Sequence, residues 1–178
     1  MALFTGKGDG GTTKVFGCDQ QRISKSSELP EALGALDEVN AFVGFVKMCA
    51  RENAFISEQL RMVQEALFIV QAQIAGAEKR LKEGQVGEME KVINDIEQKI
   101  PPLKGFSIAG GTELSALLDV ARTLSRRAER RVTAVGEAGL REVLPETKAY
   151  LNRLSSLLFA FARLANHEAG VAEETPRY

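Results

Sequence analysis

The chain has 178 residues, a formal net charge of −1, 44% hydrophobic and 26% charged residues. This length suits one domain with its own core, and so small a net charge gives no global field to draw in nucleic acid or anionic lipid, so any anion site must be local. No apolar run reaches the roughly 18 residues of a membrane span, the start Met1-Ala2-Leu3-Phe4 lacks the regions of a signal peptide, and Cys18 and Cys49 have no metal-ligand spacing; the expectation is a cytoplasmic protein with no nucleic-acid or membrane partner.

Residues 1–27 are polar and Gly-rich, with no helical period. Gly6-Lys7-Gly8-Asp9-Gly10-Gly11-Thr12-Thr13-Lys14 combines glycines, hydroxyls and lysines, a composition that suits a nest of backbone N–H groups around phosphate. It also suits a flexible terminus. The G-x-G-x-x-G match at Gly6, Gly8 and Gly11 has no room for a preceding strand, which excludes the dinucleotide fingerprint, and no Walker A string occurs. Lys25 is a third nearby cation, and equally an ordinary surface lysine.

A first helix is expected from about Leu29, with Pro30 in its first turn and Leu33, Leu36, Val39, Val43 and Val46 on one face. Asp37, Glu38 and Asn40 interrupt its apolar stripe. A second helix is expected from an N-cap at Ser57, with Leu60, Val63, Leu67, Val70 and Ile74 inward. A third fits Val86 to Ile100, stopped by Pro101-Pro102. The segment 104–111 reads as a loop, in which Phe106 packs beneath the loop or lines a pocket for a flat apolar ligand.

Thr112 is an N-cap for a fourth helix with Leu117, Ala121, Leu124, Ala128, Val132 and Val135 inward and Gly136 and Gly139 as breakers. A fifth starts near Pro145 and carries Leu151, Leu154, Leu158, Phe161 and Ala165, with Asn152, Ser156 and Arg163 on one polar face. The tail from Gly170 reads as loose. No sustained strand alternation is present. The fold class is all-α: a five-helix bundle (28–169) behind a Gly-rich N-terminal segment (1–27), with a short tail (170–178), as one domain.

On the fourth helix Arg122, Arg126, Glu129 and Arg130 fall within an arc of about 100°. Like charges at i, i+4 repel, and arginine forks match phosphate oxygens, so the stripe reads as a polyphosphate grip. It reads as well as a solvated basic face or an inter-subunit salt-bridge surface. Arg127 and Arg131 lie nearer the apolar arc, where they can snorkel or pair with another chain. His167 is the only histidine, which removes Glu-x-x-His di-metal sites and histidine triads, and it reads as a C-terminal capping or surface residue.

Five strings in order resemble the PduO-type corrinoid adenosyltransferases: Thr5 to Thr13; Lys25 followed by Glu31 to Ala41; Phe106 through Gly110-Gly111-Thr112; Ala121-Arg122 with Arg126 to Arg131; and Tyr150 to Ser155. The resemblance implies a five-helix homotrimer with active sites between subunits. It implies transfer of the 5′-deoxyadenosyl group of ATP to the cobalt of reduced cob(I)alamin, with release of triphosphate. It assigns ATP binding to Thr5, Gly6, Lys7, Gly8, Thr13, Lys14, Lys25, Arg126, Arg127, Ala128, Glu129, Arg130 and Asn152. Mg²⁺ accompanies the ATP, with Glu129 as its candidate protein contact. Arg122 would pair with Asp37 of a neighbouring subunit, and Phe106 would lie beneath the corrin; with Arg126 these form the catalytic set. A reductase and a cobalamin-dependent acceptor enzyme are the implied partners. Two departures stand out: Ile108-Ala109 replaces the usual Leu-Pro, and the N-terminal loop differs from Thr-x-Thr-Gly-Asp. The other functions weighed are a non-catalytic sensor or carrier of ATP or corrinoid, and a structural oligomer whose arginines pair across subunits.

Overall fold

The computed structural model describes residues 3–16, 21–103 and 105–178; Cys18 and Lys104 lie outside them. Five helices follow in chain order: α1 (Glu28–Cys49), α2 (Ala54–Ala75), α3 (Gln85–Glu97), α4 (Glu113–Glu137) and α5 (Pro145–Glu168). Helix α4 packs on α5 and α1, α1 on α2, and α3 on α5. Leu36, Val39 and Val43 of α1, Leu60 and Leu67 of α2, Ala121 and Ala128 of α4, and Leu154 and Phe161 of α5 are fully buried in one shared core. Tyr150 belongs to it, and burial pushes its phenol above the ordinary range.

The N-terminal segment is not simply a loop. Strands β1 (Thr12–Lys14) and β2 (Arg22–Ser24) pair antiparallel, with Thr13 opposite Ile23. Arg22 donates from Nε to Thr12 Oγ1 (2.8 Å) and from a terminal nitrogen to Thr12 O (2.6 Å). Val15 and Ile23 rest on the bundle core. Strands of three residues are too short to show a period of two, so alternation gives no signal here.

The helix boundaries correct several expectations. Asn53, rather than Ser57, caps α2: its side chain accepts from the Ile56 N–H at 3.0 Å, and the cap lies four residues earlier than expected. Helix α3 ends at Glu97, with a turn carrying the chain to Ile100. Gly136 does not break α4; it lies inside it, where a Cβ would stand 3.2 Å from Val143 Cγ2. Gly139, at φ +66°, makes the break, with Leu140 N–H returning to Val135 O at 3.1 Å. On α4 the expected Ala121, Ala128, Val132 and Val135 are buried, joined by Leu118 and Ser125, while Leu117 and Leu124 are half-buried. Thr112 does cap α4, accepting from Ser115 N–H at 3.1 Å, and Pro145 does open α5.

The tail is tied down rather than loose. Ile108 N–H donates to Glu174 O (2.8 Å), and Val171 N–H to Asn166 O (2.9 Å). Arg163, expected on an exposed polar face, is 8% exposed because the tail covers that end of α5. Among the described residues no helix is long and apolar enough to cross a membrane.

Candidate nucleotide and corrinoid site

Helix α4 delivers its arginines in two directions. Arg122 and Arg126 face a cleft of about 560 Å³ whose walls also include Leu103, Phe106, Ser155 and Phe159. Arg127 and Arg131 turn to α1, where Arg127 pairs with Glu38 and Arg131 lies 3.7 Å from Glu31. Successive helical residues diverge by about 100°, and here that turn separates Arg126, on the cleft, from Arg127, on α1. Ala128 is fully buried between these sets and offers no atom to a ligand within the protomer.

Inside the cleft Arg122 is held from two sides. Its Nε donates to Asp119 Oδ1 at 3.0 Å, and its guanidinium lies 5.8 Å from the centre of the Phe159 ring. Within one protomer Asp119 is thus the carboxylate that holds Arg122, whereas Asp37 is exposed on α1. Arg126 and Arg130 are exposed.

A polar chain leads away from the stripe. Asn152 Nδ2 donates to Glu129 Oε1 at 3.0 Å, Arg153 donates to Asn152 Oδ1 at 2.6 Å, and Arg153 Nε donates to Glu90 Oε1 at 2.8 Å. Arginine only donates and a carboxylate only accepts, so the orientation of the Asn152 amide follows from chemistry. The chain links α4, α5 and α3, and it places Asn152 beside Glu129, both of which the resemblance assigns to ATP binding. Among the described residues no group of three or more His, Cys, Asp or Glu side chains could cage a metal ion. Glu129 alone fits Mg²⁺ that arrives on phosphate oxygens and keeps most of its waters.

The Phe106 loop is shaped by its glycines and by Asn166. Gly110 and Gly111 adopt φ of +125° and +106°. Asn166 Oδ1 accepts from Thr112 N–H (2.9 Å) and Oγ1 (3.2 Å), and its Nδ2 donates to Gly110 O (2.9 Å). A Cβ on Gly111 would stand 2.4 Å from that Oδ1. The loop leaves Phe106 80% exposed, as a wall of the cleft rather than part of the core.

The hairpin carries the remaining candidates. Gly6 and Gly11 take φ of +67° and +73°. Asp9 N–H reaches Gly6 O (3.2 Å), Gly11 N–H reaches Gly8 O (3.1 Å), and Lys25 N–H reaches Gly11 O (2.9 Å). A Cβ on Gly8 would stand 3.0 Å from Lys25 Nζ, so the ammonium lies directly over the loop. Thr5, Gly6, Lys7 and Lys14 are exposed and Thr13 half-buried. The structure therefore gathers Gly8 with Lys25, and Phe106 with Arg122 and Arg126. No described residue of the hairpin segment lines the arginine cleft of the same protomer.

Sequence reasoning missed Asp119, Phe159 and Asn166. Asp119 carried a local signal, three residues before Arg122; Phe159 and Asn166 carried none, since their roles depend on where α5 lies against α4 and the loop.

In a mainly helical bundle, an arginine pair and an exposed aromatic face one cleft, side chains whose chemistry suits a polyanion beside a flat apolar group. The chain matches the cobalamin adenosyltransferase family over residues 3–165 and belongs to it. It is 36% identical over 177 residues to the corrinoid adenosyltransferase PduO of Citrobacter freundii, covering 95% of this chain and 51% of that protein. It is 34% identical over 180 residues to the corrinoid adenosyltransferase of Bacillus subtilis, covering 97% and 91%. The chain spans about half the length of the PduO relatives from C. freundii and Salmonella typhimurium (51% and 54%). A solved structure of a variant PduO-type ATP:corrinoid adenosyltransferase from Lactobacillus reuteri, complexed with cobalamin and ATP, superposes with a TM-score of 0.90. It is 29% identical and covers 99% of this chain and 100% of that one. A second variant of that enzyme, complexed with ATP, gives a TM-score of 0.88 at 29% identity, covering 98% and 100%.

Proposed function

We propose that this chain transfers the 5′-deoxyadenosyl group of ATP to the cobalt of a reduced corrinoid and releases triphosphate. The observation that carries this reading is the shared cleft: Phe106 offers an aromatic face, and Arg122 and Arg126 offer cationic forks, to the same volume of about 560 Å³. Cobalt(I) is the nucleophile. It forms a Co–C bond to C5′ as the C5′–O bond breaks, and the electron pair of that bond leaves on the triphosphate. The protein then needs no nucleophile or general base of its own. Its work is to align C5′ with cobalt and to stabilise charge on the leaving group.

In this reading Arg126 and Arg130 hold the triphosphate, together with Lys25, Lys14, Lys7 and the backbone of Thr5 to Gly8 and Thr13. Asn152 and Glu129 act as a bonded pair at the nucleotide. Mg²⁺, when bound, adds charge neutralisation at the phosphates, with Glu129 as the protein contact. Arg127 and Ala128 contribute chain position rather than side-chain contact, since one pairs with Glu38 and the other is buried.

The reading includes a homotrimer with sites between subunits. Two observations support it. No described residue of the hairpin lines its own protomer's arginine cleft, so joining the two halves of the ATP site calls for a neighbour. Asp37, Ala41, Phe45 and Met48 form an exposed stripe at helical spacing on α1, with Phe45 at 53% and Met48 at 63% exposure; a second copy would bury it and bring Asp37 to Arg122. The need for cobalt(I) places the reaction in the reducing cytoplasm, fed by a reductase and drained by an enzyme that uses the adenosylated corrinoid.

The test is incubation with ATP and cobalamin under strong reduction, following the corrinoid spectrum and triphosphate release. The expected result is one triphosphate per adenosylated corrinoid. Binding of either ligand without turnover would refute the activity and leave a carrier or sensor. Sedimentation should give three chains per particle, and a monomer would refute the shared site.

A further inference from the structure

The C-terminal end of α5 grips the Phe106 loop from outside the cleft. Arg163, 8% exposed, donates from Nε to Glu173 Oε1 (2.7 Å) and from one terminal nitrogen to Glu173 Oε2 (3.1 Å). The same terminal nitrogen donates to Pro101 O (2.6 Å), where the chain leaves the α3 turn and enters the loop segment. One residue beyond Glu173, the Glu174 carbonyl accepts from Ile108 N–H (2.8 Å), two residues past Phe106. A single buried guanidinium thus holds the start of the loop segment directly and its middle through the tail. Asn166, one helical turn further on, holds its end at Gly110 and Thr112.

Behind Phe106, this arrangement leaves a second cavity of about 500 Å³ between loop and tail, bounded by Pro101, Leu103, Arg163, His167, Val171 and Glu173. Phe106 is therefore a partition with open space on both sides, and nothing in the core fixes its position. The bidentate pair is well suited to do so: planar, charge-assisted and shielded from solvent on the Arg163 side. The sequence adds a reason. Ala109 leaves the loop a free φ that proline would lock, so order here must come from outside the loop.

Building on the corrinoid reading above, we infer that the Arg163–Glu173 pair is a positioning device that sets Phe106 against the corrin by strapping Pro101 and Ile108 to the C-terminal end of the chain. Arg163 lines no part of the arginine cleft and acts through the tail and Pro101. The device predicts an effect confined to the corrinoid half of the site, because Arg126, Asn152 and the hairpin are not joined to it.

The experiment compares Glu173→Ala with Glu174→Ala, whose side chain the strap does not use. Glu173 lies in the tail, so its loss leaves the helices intact; Arg163→Lys, which keeps the charge but not the fork, is the second variant. Amide hydrogen exchange over residues 105–111 is the readout that needs no activity. Glu173→Ala should raise exchange at Ile108 by about tenfold, the order expected for losing a charge-assisted hydrogen bond, and Glu174→Ala should leave it unchanged. In turnover, Glu173→Ala and Arg163→Lys should raise the KM for reduced corrinoid about fivefold or more, with the KM for ATP held within about twofold. Unchanged exchange at Ile108 in Glu173→Ala overturns the strap. Faster exchange with an unmoved corrinoid KM, or an equal rise in both KM values, overturns the positioning role. If no adenosyl transfer occurs even in the unaltered protein, the proposed activity and this positioning role both fail, and the exchange result still decides whether the strap exists.

Discussion

Replacing Gly111 by alanine should be among the most damaging single-methyl changes in this protein. Two effects add. Gly111 has φ +106°, where an L side chain costs about 1–2 kcal/mol of backbone strain. The new Cβ would also meet Asn166 Oδ1 at 2.4 Å and Nδ2 at 2.7 Å, so the amide must move. That amide makes three hydrogen bonds, to Thr112 N–H, Thr112 Oγ1 and Gly110 O. At about 0.5–1.5 kcal/mol each, losing most of them adds roughly 2–3 kcal/mol. Restricting the unfolded chain returns about 0.4–1 kcal/mol. The net is about 3 kcal/mol, or roughly 6–12 °C in Tm for a chain of this size.

Two other glycines separate the effects. Gly84 has φ +81° with no atom within 4 Å of an added Cβ, so Gly84→Ala should show the strain alone, about 1 kcal/mol. Gly10 has the same open space without the positive φ, so Gly10→Ala should stay within about 0.5 kcal/mol. Thermal and urea unfolding at one fixed protein concentration measure all three, since association shifts Tm. A Gly111→Ala protein no less stable than Gly84→Ala would refute the role given to Asn166. In an Asn166→Ala background the clash is gone, and Gly111→Ala should then cost only the strain.

Other expectations follow from the same geometry. Arg126→Ala should lower kcat/KM for ATP by about 100-fold or more with Tm nearly unchanged, because Arg126 is exposed and faces the cleft. Arg127→Ala should change it only a few-fold, and a double-mutant cycle with Glu38→Ala should give a coupling below about 1 kcal/mol, as both side chains are about half exposed. Asn152→Ala should raise the KM for ATP about tenfold by releasing the Glu129 carboxylate from its donor. Leu36→Ala, at a fully buried position of α1, should cost about 2–5 kcal/mol in urea unfolding.

The helices were readable because each carries a local signal that folding does not change. The apolar steps from Leu29 to Val46 mark α1, Thr112 caps α4 by its own hydroxyl, and Pro145 opens α5. The places where expectation missed are those decided by neighbours. Ser57 and Asn53 are both capping types, and the structure selects Asn53, which also donates to Glu168 (2.7 Å) from the far end of the chain. Gly136 fits inside α4 because Val143 packs where a Cβ would sit. Arg163 shares a helical face with Asn152 and Ser156, yet it alone is covered, because only its end of α5 meets the tail.

The arginine stripe shows the same division within one element. Helical spacing alone sets Arg122 and Arg126 apart from Arg127 and Arg131, which lie at least about 100° further round the helix. Spacing cannot say which pair meets solvent and which meets α1. That was decided by the packing of α1 along α4, which offers Glu31 and Glu38 to one pair and leaves the other facing Phe159 and Phe106. The sequence by itself determined the helices, the cations available and the order of the family's strings, because these rest on chemistry within a few residues. Only the tertiary structure decided which of those residues look at one another, because facing is a property of how helices distant in sequence come together.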